Sequence, residues 1–154
     1  MEILKDILRN DMLMCAIIAY FSAQFFKLFT ILYKERRLDL RYLWSSGGMP
    51  SSHASSVSAL AFSCARVYGV ASPAFAICFV LAGVVMYDAT GVRRAAGEHA
   101  KVLNHIVADL FSGKPEYTQK ALKELIGHTP LQVVMGSILG IIIGLFMPSF
   151  SSLV

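Results

Sequence analysis

The sequence predicts an all-α integral membrane bundle of about four spanning helices, with two amphipathic or short helices on one face. It reads as a single domain over residues 1–154. Three observations point there. The 154-residue chain is 56% hydrophobic and only 16% charged, whereas a soluble domain is about 45–50% apolar and about 25% charged. Its mean hydropathy is +0.60. Apolar runs near the length of a bilayer span alternate with segments rich in charge, Gly, Ser and Pro. This composition excludes a disordered chain and a multidomain soluble enzyme. Any chemistry is then confined to the spaces between helices or to their ends.

The N-terminal stretch, MEILKDILRNDM, carries Glu2, Asp6 and Asp11. It lacks the basic-then-apolar order and small-residue cleavage site of a secretory signal, so the first apolar run is expected to stay on the protein. That run extends from Met12 through Phe26 to Tyr33. Lys27 interrupts it and must either face protein or snorkel to the interface. A charged connector, Lys34 to Arg41, and a Gly/Ser/Pro-rich turn, Ser45 to Ser52, come next. The second helix, His53 to Val70, is rich in Ala and Ser, which let helices approach closely and so suit a bundle interior. Pro73 opens a third helix, reaching about Asp88.

Arg93 to Phe111 is charged, with Val102, Ile106 and Leu110 at helical spacing. That is the pattern of an amphipathic helix on the membrane surface or against the bundle. Beyond the Gly113-Lys114-Pro115 break, a short polar helix is expected over Glu116 to Ile126. The last span, Leu131 to Met147, is stopped by Pro148. Gly136, Gly140 and Gly144 recur there every four residues. Such a strip suits close contact with another helix of the same chain or with a second copy in a homodimer.

With four spans, the connector after the first and the long segment before the last share one face. Most of the 14 Lys and Arg lie on it; the exceptions are Lys5, Arg9 and Arg66 on or near the other face and Lys27 inside a span. The positive-inside bias places this basic face in the cytoplasm. The net charge of +4 then belongs to the membrane edge and fits an anionic surface or substrate rather than nucleic acid. Cys15, Cys64 and Cys78 lie in apolar runs and read as small hydrophobes of a reduced protein. Tyr20, Tyr33, Tyr42 and Trp44 read as interfacial anchors.

The same face collects the residues with chemistry. Lys27 lies toward it, Gly47 to His53 precede the second span, Asp88, Arg93 and Arg94 follow the third, and His128 precedes the fourth. Gly47, Gly48, Ser51 and Ser52 at a helix start offer backbone N–H groups and hydroxyls, an anion cradle without the Lys-Ser/Thr ending of a P-loop. Lys and Arg supply charge for phosphate oxygens. Two histidines can divide the roles of nucleophile and general acid. Phosphoryl transfer asks mainly for such positioning and charge stabilisation. The histidines lack metal-ligand spacing, so neither metal nor cofactor is expected.

Three separated motifs carry a resemblance: Gly47 to His53 with its Pro50-Ser51-Ser52-His53, the run Tyr87 to Arg94 (YDATGVRR), and Gly127-His128-Thr129-Pro130. Together they resemble the divergent bacterial and plastid branch of the type 2 phosphatidic acid phosphatase and vanadium haloperoxidase superfamily, over roughly residues 24–140. The resemblance implies a helical membrane protein of a bacterial plasma membrane or a plastid membrane. It implies a metal-independent phosphatase acting on a phosphorylated membrane lipid. His128 is then the nucleophile and His53 the general acid. Lys27, Gly48, Ser51, Ser52 and Arg93 or Arg94 hold the phosphate. Asp88, a carboxylate at a span end beside two arginines, reads by itself as a partner for one of them.

The chain departs from the superfamily pattern in informative places. Where Arg, five residues, His, three residues and Asp are expected, it carries Arg93, His99 and Leu103, which keeps His99 as a rival nucleophile. Four residues after His128 stands Gln132 instead of a carboxylate. On a helix it faces the imidazole, where its amide oxygen can accept the ring N–H but cannot offset an imidazolium charge. Exchanging such a carboxylate for an amide costs about 10⁴ in a serine-protease triad. Glu124 and Asp88 are candidate substitutes. Lys27 is not followed by the superfamily's Arg-Pro. Two other classes therefore stay open: a weak or inactive phosphate- or phospholipid-binding membrane protein, and a small assembly or transport factor using the glycine strip.

Overall fold

The computed structural model describes residues 2–35, 48–110 and 128–150. Among them the chain is helical: α1 (Glu2–Leu8), α2 (Asp11–Glu35), α3 (Ser52–Tyr68), α4 (Pro73–Thr90), α5 (Val92–Leu110) and α6 (Pro130–Phe146). The helix starts follow local chemistry. Ser51, Ser72 and Thr129 are N-caps whose hydroxyls accept from the backbone three residues on, and Pro73 and Pro130 follow two of them. An oxygen side chain followed by Pro satisfies one first-turn N–H and omits another. The short helix α1 was not foreseen. The connector after α2, the polar helix expected over Glu116 to Ile126, Gly47 and Glu124 lie outside the described residues, as do the side chains of Arg93 and Arg94.

Two helical stretches, Asp11–Thr30 and Pro73–Ala108, are long and apolar enough to cross a membrane, and Pro130–Phe146 is a shorter apolar helix. Helices α3 and α6 have 17 residues each, fewer than the about 20 of a standard span. The expected four spans therefore exceed the helices that meet the length criterion.

The distribution of side-chain size is inside-out. Among the described residues the buried core is made mostly of small side chains, Cys15, Ala16, Ala19, Ala23, Ala54, Ala59, Ala61, Cys64, Ala82 and Ala89, with the larger Val133. Large apolar side chains such as Phe21, Phe25, Phe29, Ile77, Val80, Val84, Ile142 and Phe146 are exposed. Helix α4 is apolar along its length, yet only Ala82 and Ala89 are buried. Water does not tolerate such a surface, whereas lipid is its natural solvent.

Helix α3 is the hub and packs against α2, α4 and α6. Its serines hydrogen-bond across to α2, Ser55 Oγ to the Ala19 carbonyl at 3.1 Å and Ser56 Oγ to that of Ala16 at 3.0 Å. On its other side the glycine strip of α6 lies on its backbone. A Cβ added at Gly136 would sit 2.3 Å from Ser51 O, at Gly140 2.1 Å from Ser55 O, and at Gly144 2.7 Å from Ala59 O. The strip therefore serves the contact within the chain. Helix α3 lies against all three of Gly136, Gly140 and Gly144.

The paired residues rise together along both helices, so α3 and α6 run parallel. Lys27 and Thr30 lie beside the turn before α3 while Ala19 and Ala16 lie deeper, so α2 runs antiparallel to α3. His128 N donates to Ala89 O at 3.1 Å, which brings the end of α4 to the start of α6. One end of the bundle thus collects the ends of α2 and α4 and the starts of α3 and α6. At the other end Asp11 accepts from Phe150 N at 2.6 Å and from Ser149 Oγ, and Arg66 donates to Met147 O. Helix α5 is amphipathic as expected, and its substantial packing among the described helices is with α4.

The glycine contact sets a stability prediction. Gly140→Ala forces a methyl into a backbone carbonyl and is expected to cost about 1–3 kcal/mol, the range for overpacking. Gly83→Ala meets nothing within 4 Å and is expected to be neutral or stabilising by up to about 1 kcal/mol, as for glycine in a helix interior. Thermal unfolding of the two variants in the same detergent measures the difference; equal midpoints would show that α3 and α6 do not meet at these glycines.

Candidate functional site

The turn before α3 is locked onto α2. Thr30 Oγ1 donates to Met49 O at 2.9 Å, and the Met49–Pro50 bond is cis. Gly48 has φ +99°, in the left-handed region that favours glycine. A Cβ there would also stand 3.0 Å from Lys27 Cγ and Cδ. Gly48 is thus needed twice, for its backbone angle and for the lysine stem lying across it. Lys27 is 1% exposed, so of the two expectations for it, facing protein holds and snorkelling does not. An ionisable residue buried within a membrane helix is costly and marks a functional site by default.

Ser51 and Ser52 are buried at the start of α3. Ser51 Oγ caps the helix by accepting from Ala54 N, and Ser51 N donates to Gln132 O at 3.0 Å. That bond ties the N-cap of α3 to the first turn of α6. Beneath it Ala54, Ala89 and Val133 pack together with Met86, and Ser137 Oγ meets Met86 Sδ at 2.9 Å.

His128 is 5% exposed and sits just before α6. Its Nδ1 lies 3.2 Å from Gln132 Oε1, and the same oxygen accepts from Thr129 N at 3.0 Å. With Thr129 Oγ1 facing Gln132 N, this is a complete capping box. The amide orientation follows from chemistry, because a backbone N–H only donates and the atom facing it must be the carboxamide oxygen. Nδ1 of His128 then has to be the donor, and in the neutral ring this makes Nε2 the nitrogen without a proton. Gln132 therefore holds a helix start and a histidine tautomer with one oxygen.

His53 occupies the first turn of α3 and is exposed. Its ring meets that of Tyr20 edge-on, with centroids 6.4 Å apart at 84°. Tyr20 is therefore no mere interfacial anchor: it is partly buried, faces His53, and accepts from Gln24 Nε2 at 3.1 Å. Gln24 is buried and was not singled out from sequence. Its signal is nonetheless visible there, since Tyr20, Gln24 and Lys27 are polar residues in an apolar run, spaced to share one helix face. Asp88 is half-buried at the end of α4. His99 is exposed on α5, away from the α2–α3–α6 packing.

Beside the turn runs an apolar cleft of about 360 Å³, lined by residues including Phe29 and Thr30 of α2, Met49 and Pro50 of the turn, and Met135 and Ile138 of α6. Among the described residues no cluster of three or more His, Cys, Asp or Glu is placed to hold a metal ion.

Comparison with known proteins supports the family resemblance. The family model described as "Divergent PAP2 family" matches residues 8–143. The uncharacterized membrane protein YuiD of Bacillus subtilis (strain 168) is 37% identical over 155 residues, covering 94% of this chain and 98% of the relative. No solved structure matches. The matched stretch takes in Lys27, the turn at Gly48, the arginines at the start of α5 and the His128–Gln132 box, and the chain belongs to the divergent PAP2 family.

Proposed function

We propose that this chain is an integral membrane phosphatase that hydrolyses a lipid phosphate or diphosphate monoester through a phosphohistidine, without a metal ion. The observation that carries the proposal is the hydrogen-bonding at Gln132, which makes Nδ1 of His128 the donor and so, in the neutral ring, presents Nε2 with the lone pair a nucleophile requires. In the first step Nε2 attacks phosphorus, the bond to the lipid oxygen breaks, and protonated His53 gives its proton to the departing alkoxide. In the second, water attacks the phosphohistidine, His53 takes the water's proton, the P–N bond breaks and inorganic phosphate leaves. Lys27, the Gly48 backbone and the Ser51–Ser52 helix start hold the phosphate oxygens, with Arg93 or Arg94 completing the positive charge and Asp88 pairing with an arginine. The basic excess around these segments supports a bacterial plasma-membrane location with the site facing the cytoplasm.

The apolar cleft supports a lipid substrate. It opens beside the same turn that leads into Ser51, so a phosphate at the start of α3 leaves its hydrocarbon tail next to Met49 and Pro50. Gln132 favours a second reading, a phosphate-binding protein without turnover, because an amide does not neutralise an imidazolium.

Phosphate release by the purified protein from short-chain lipid phosphates separates the two. Activity is expected to survive a chelator, to be blocked by vanadate, and to fall at least about 10³-fold in His128→Ala, the scale of losing a nucleophile. His99→Ala is expected to keep it. A folded but inert protein that still binds vanadate would establish the second reading. Gln132→Glu keeps the capping box and both acceptor contacts and adds the missing charge. It is expected to raise turnover by about tenfold or more, within the factor of about 10⁴ known for the reverse exchange; an unchanged rate would mean that position 132 acts only as a cap. Ile138→Trp fills the cleft. It is expected to raise KM for a long-chain substrate about tenfold while leaving a water-soluble phosphate ester unaffected, and equal effects on both would remove the cleft from the site.

A further inference from the structure

Gln24 holds a polar atom that no described residue satisfies. The side chain is 6% exposed. Its Nε2 donates to Tyr20 Oη at 3.1 Å, and its Oε1 is buried with no hydrogen-bond partner among the described residues. Buried polar groups are hydrogen-bonded as a rule, and an exception calls for a ligand, a water or an ion. Nothing in the packing demands an amide here: α2 buries Ala and Cys on either side of it, and a residue of equal size without polar atoms would fill the same space.

The position explains what the amide is for. Gln24 stands one turn before Lys27, and Tyr20 one turn before Gln24, so the three share a face of α2. Lys27 lies against Gly48 in the turn, and Tyr20 lies against His53 in the first turn of α3. Gln24 is therefore set between the contacts that bound the candidate anion site on its α2 side. Its amide is also reversible. Tyr20 Oη both donates and accepts, so the oxygen and nitrogen of Gln24 can exchange places with the Tyr20 bond kept. In one orientation the unsatisfied end is an acceptor, and in the other it is an NH₂ donor.

We propose that Gln24 is a phosphate ligand of this site: with Tyr20 Oη donating to Oε1, its NH₂ donates to a phosphate oxygen beside Lys27. The pair divides the work, Lys27 supplying charge and Gln24 a directional, neutral donor. This rests on the reading of the site as a phosphate site.

The test uses the full chain in detergent, with orthovanadate and inorganic phosphate as probes. Gln24→Met keeps the length of the side chain and removes its polar end. It is expected to unfold at or above the wild-type temperature, because the unsatisfied atom is gone, and to bind vanadate at least tenfold more weakly. Gln24→Glu places a carboxylate where an anion should sit and is expected to abolish binding. Unchanged vanadate affinity in folded Gln24→Met overturns the proposal and assigns the amide to internal structure. Should Gln24→Met not fold, the wild-type protein labelled with ¹⁵N-glutamine still decides. The Gln24 side-chain amide signal shifts on adding vanadate if it is a ligand, and a stationary signal overturns the proposal. Wild-type protein that binds neither probe refutes the phosphate site itself, an outcome distinct from tight binding with an indifferent Gln24.

Discussion

The close approach of α6 to the backbone of α3 governs the rest of the structure. Gly136, Gly140 and Gly144 meet Ser51, Ser55 and Ala59 at four-residue steps on both helices. Neither helix can then slide against the other without driving a carbonyl into a backbone. The register fixed along the bundle is delivered at its end, where Ser51 N reaches Gln132 O. That bond joins the two helix starts that carry the sequence motifs: the Pro-Ser-Ser-His of α3 and the His-Thr-Pro of α6. A fold with larger residues on the strip would hold the same sequence motifs but not at one place.

A membrane surface makes such a contact necessary. Between apolar helices in lipid there is no hydrophobic gain from association, so close packing and polar contacts must supply it. The chain does this with Ala, Gly, Cys and Ser inside and sends Phe, Ile and Val outward. The serines of α3 bond to α2 carbonyls whose own helical bonds are already made. In this small-residue interior, the exceptions are informative. Gln24, Lys27 and His128 are the large polar side chains buried among the described residues, and each lies near the end where four helix termini meet.

Much of this was legible in the sequence, for physical reasons. Helix starts at Ser72-Pro73 and Thr129-Pro130 follow from capping chemistry that depends on neighbouring residues alone. The convergence of Lys27, the Gly48 turn, the end of α4 and His128 follows from helix alternation. Other features depend on contacts between distant residues. Whether the glycine strip faces α3 or another molecule cannot be read from spacing, nor can the choice of Lys27 between protein and interface. At position 132 the sequence shows a missing carboxylate. The place of Gln132 three residues after Thr129 already spells a capping box. Tyr20 reads as an anchor and Gln24 carries no signal of its own, because an aromatic and an amide in an apolar run have no weight until their neighbours are known.

An amide beside His128 changes the balance of the proposed chemistry without abolishing it. A carboxylate at position 132 would favour the imidazolium, and a protonated imidazole has no lone pair to attack phosphorus. It would also add negative charge near an incoming phosphate, to be offset by Lys27 and the arginines. Gln132 avoids both costs, and its carboxamide oxygen still fixes Nδ1 as the protonated nitrogen. Its disadvantage comes later. A phosphohistidine formed on Nε2 with Nδ1 protonated has a cationic ring, and a carboxamide dipole stabilises that less than a full charge does. A less stabilised phosphohistidine forms more slowly and gives up its phosphate more readily. Under the proposed chemistry an amide at this place thus suits a nucleophile neutral at rest and an intermediate that does not accumulate, with slower turnover than a carboxylate would give but the same sequence of bonds made and broken.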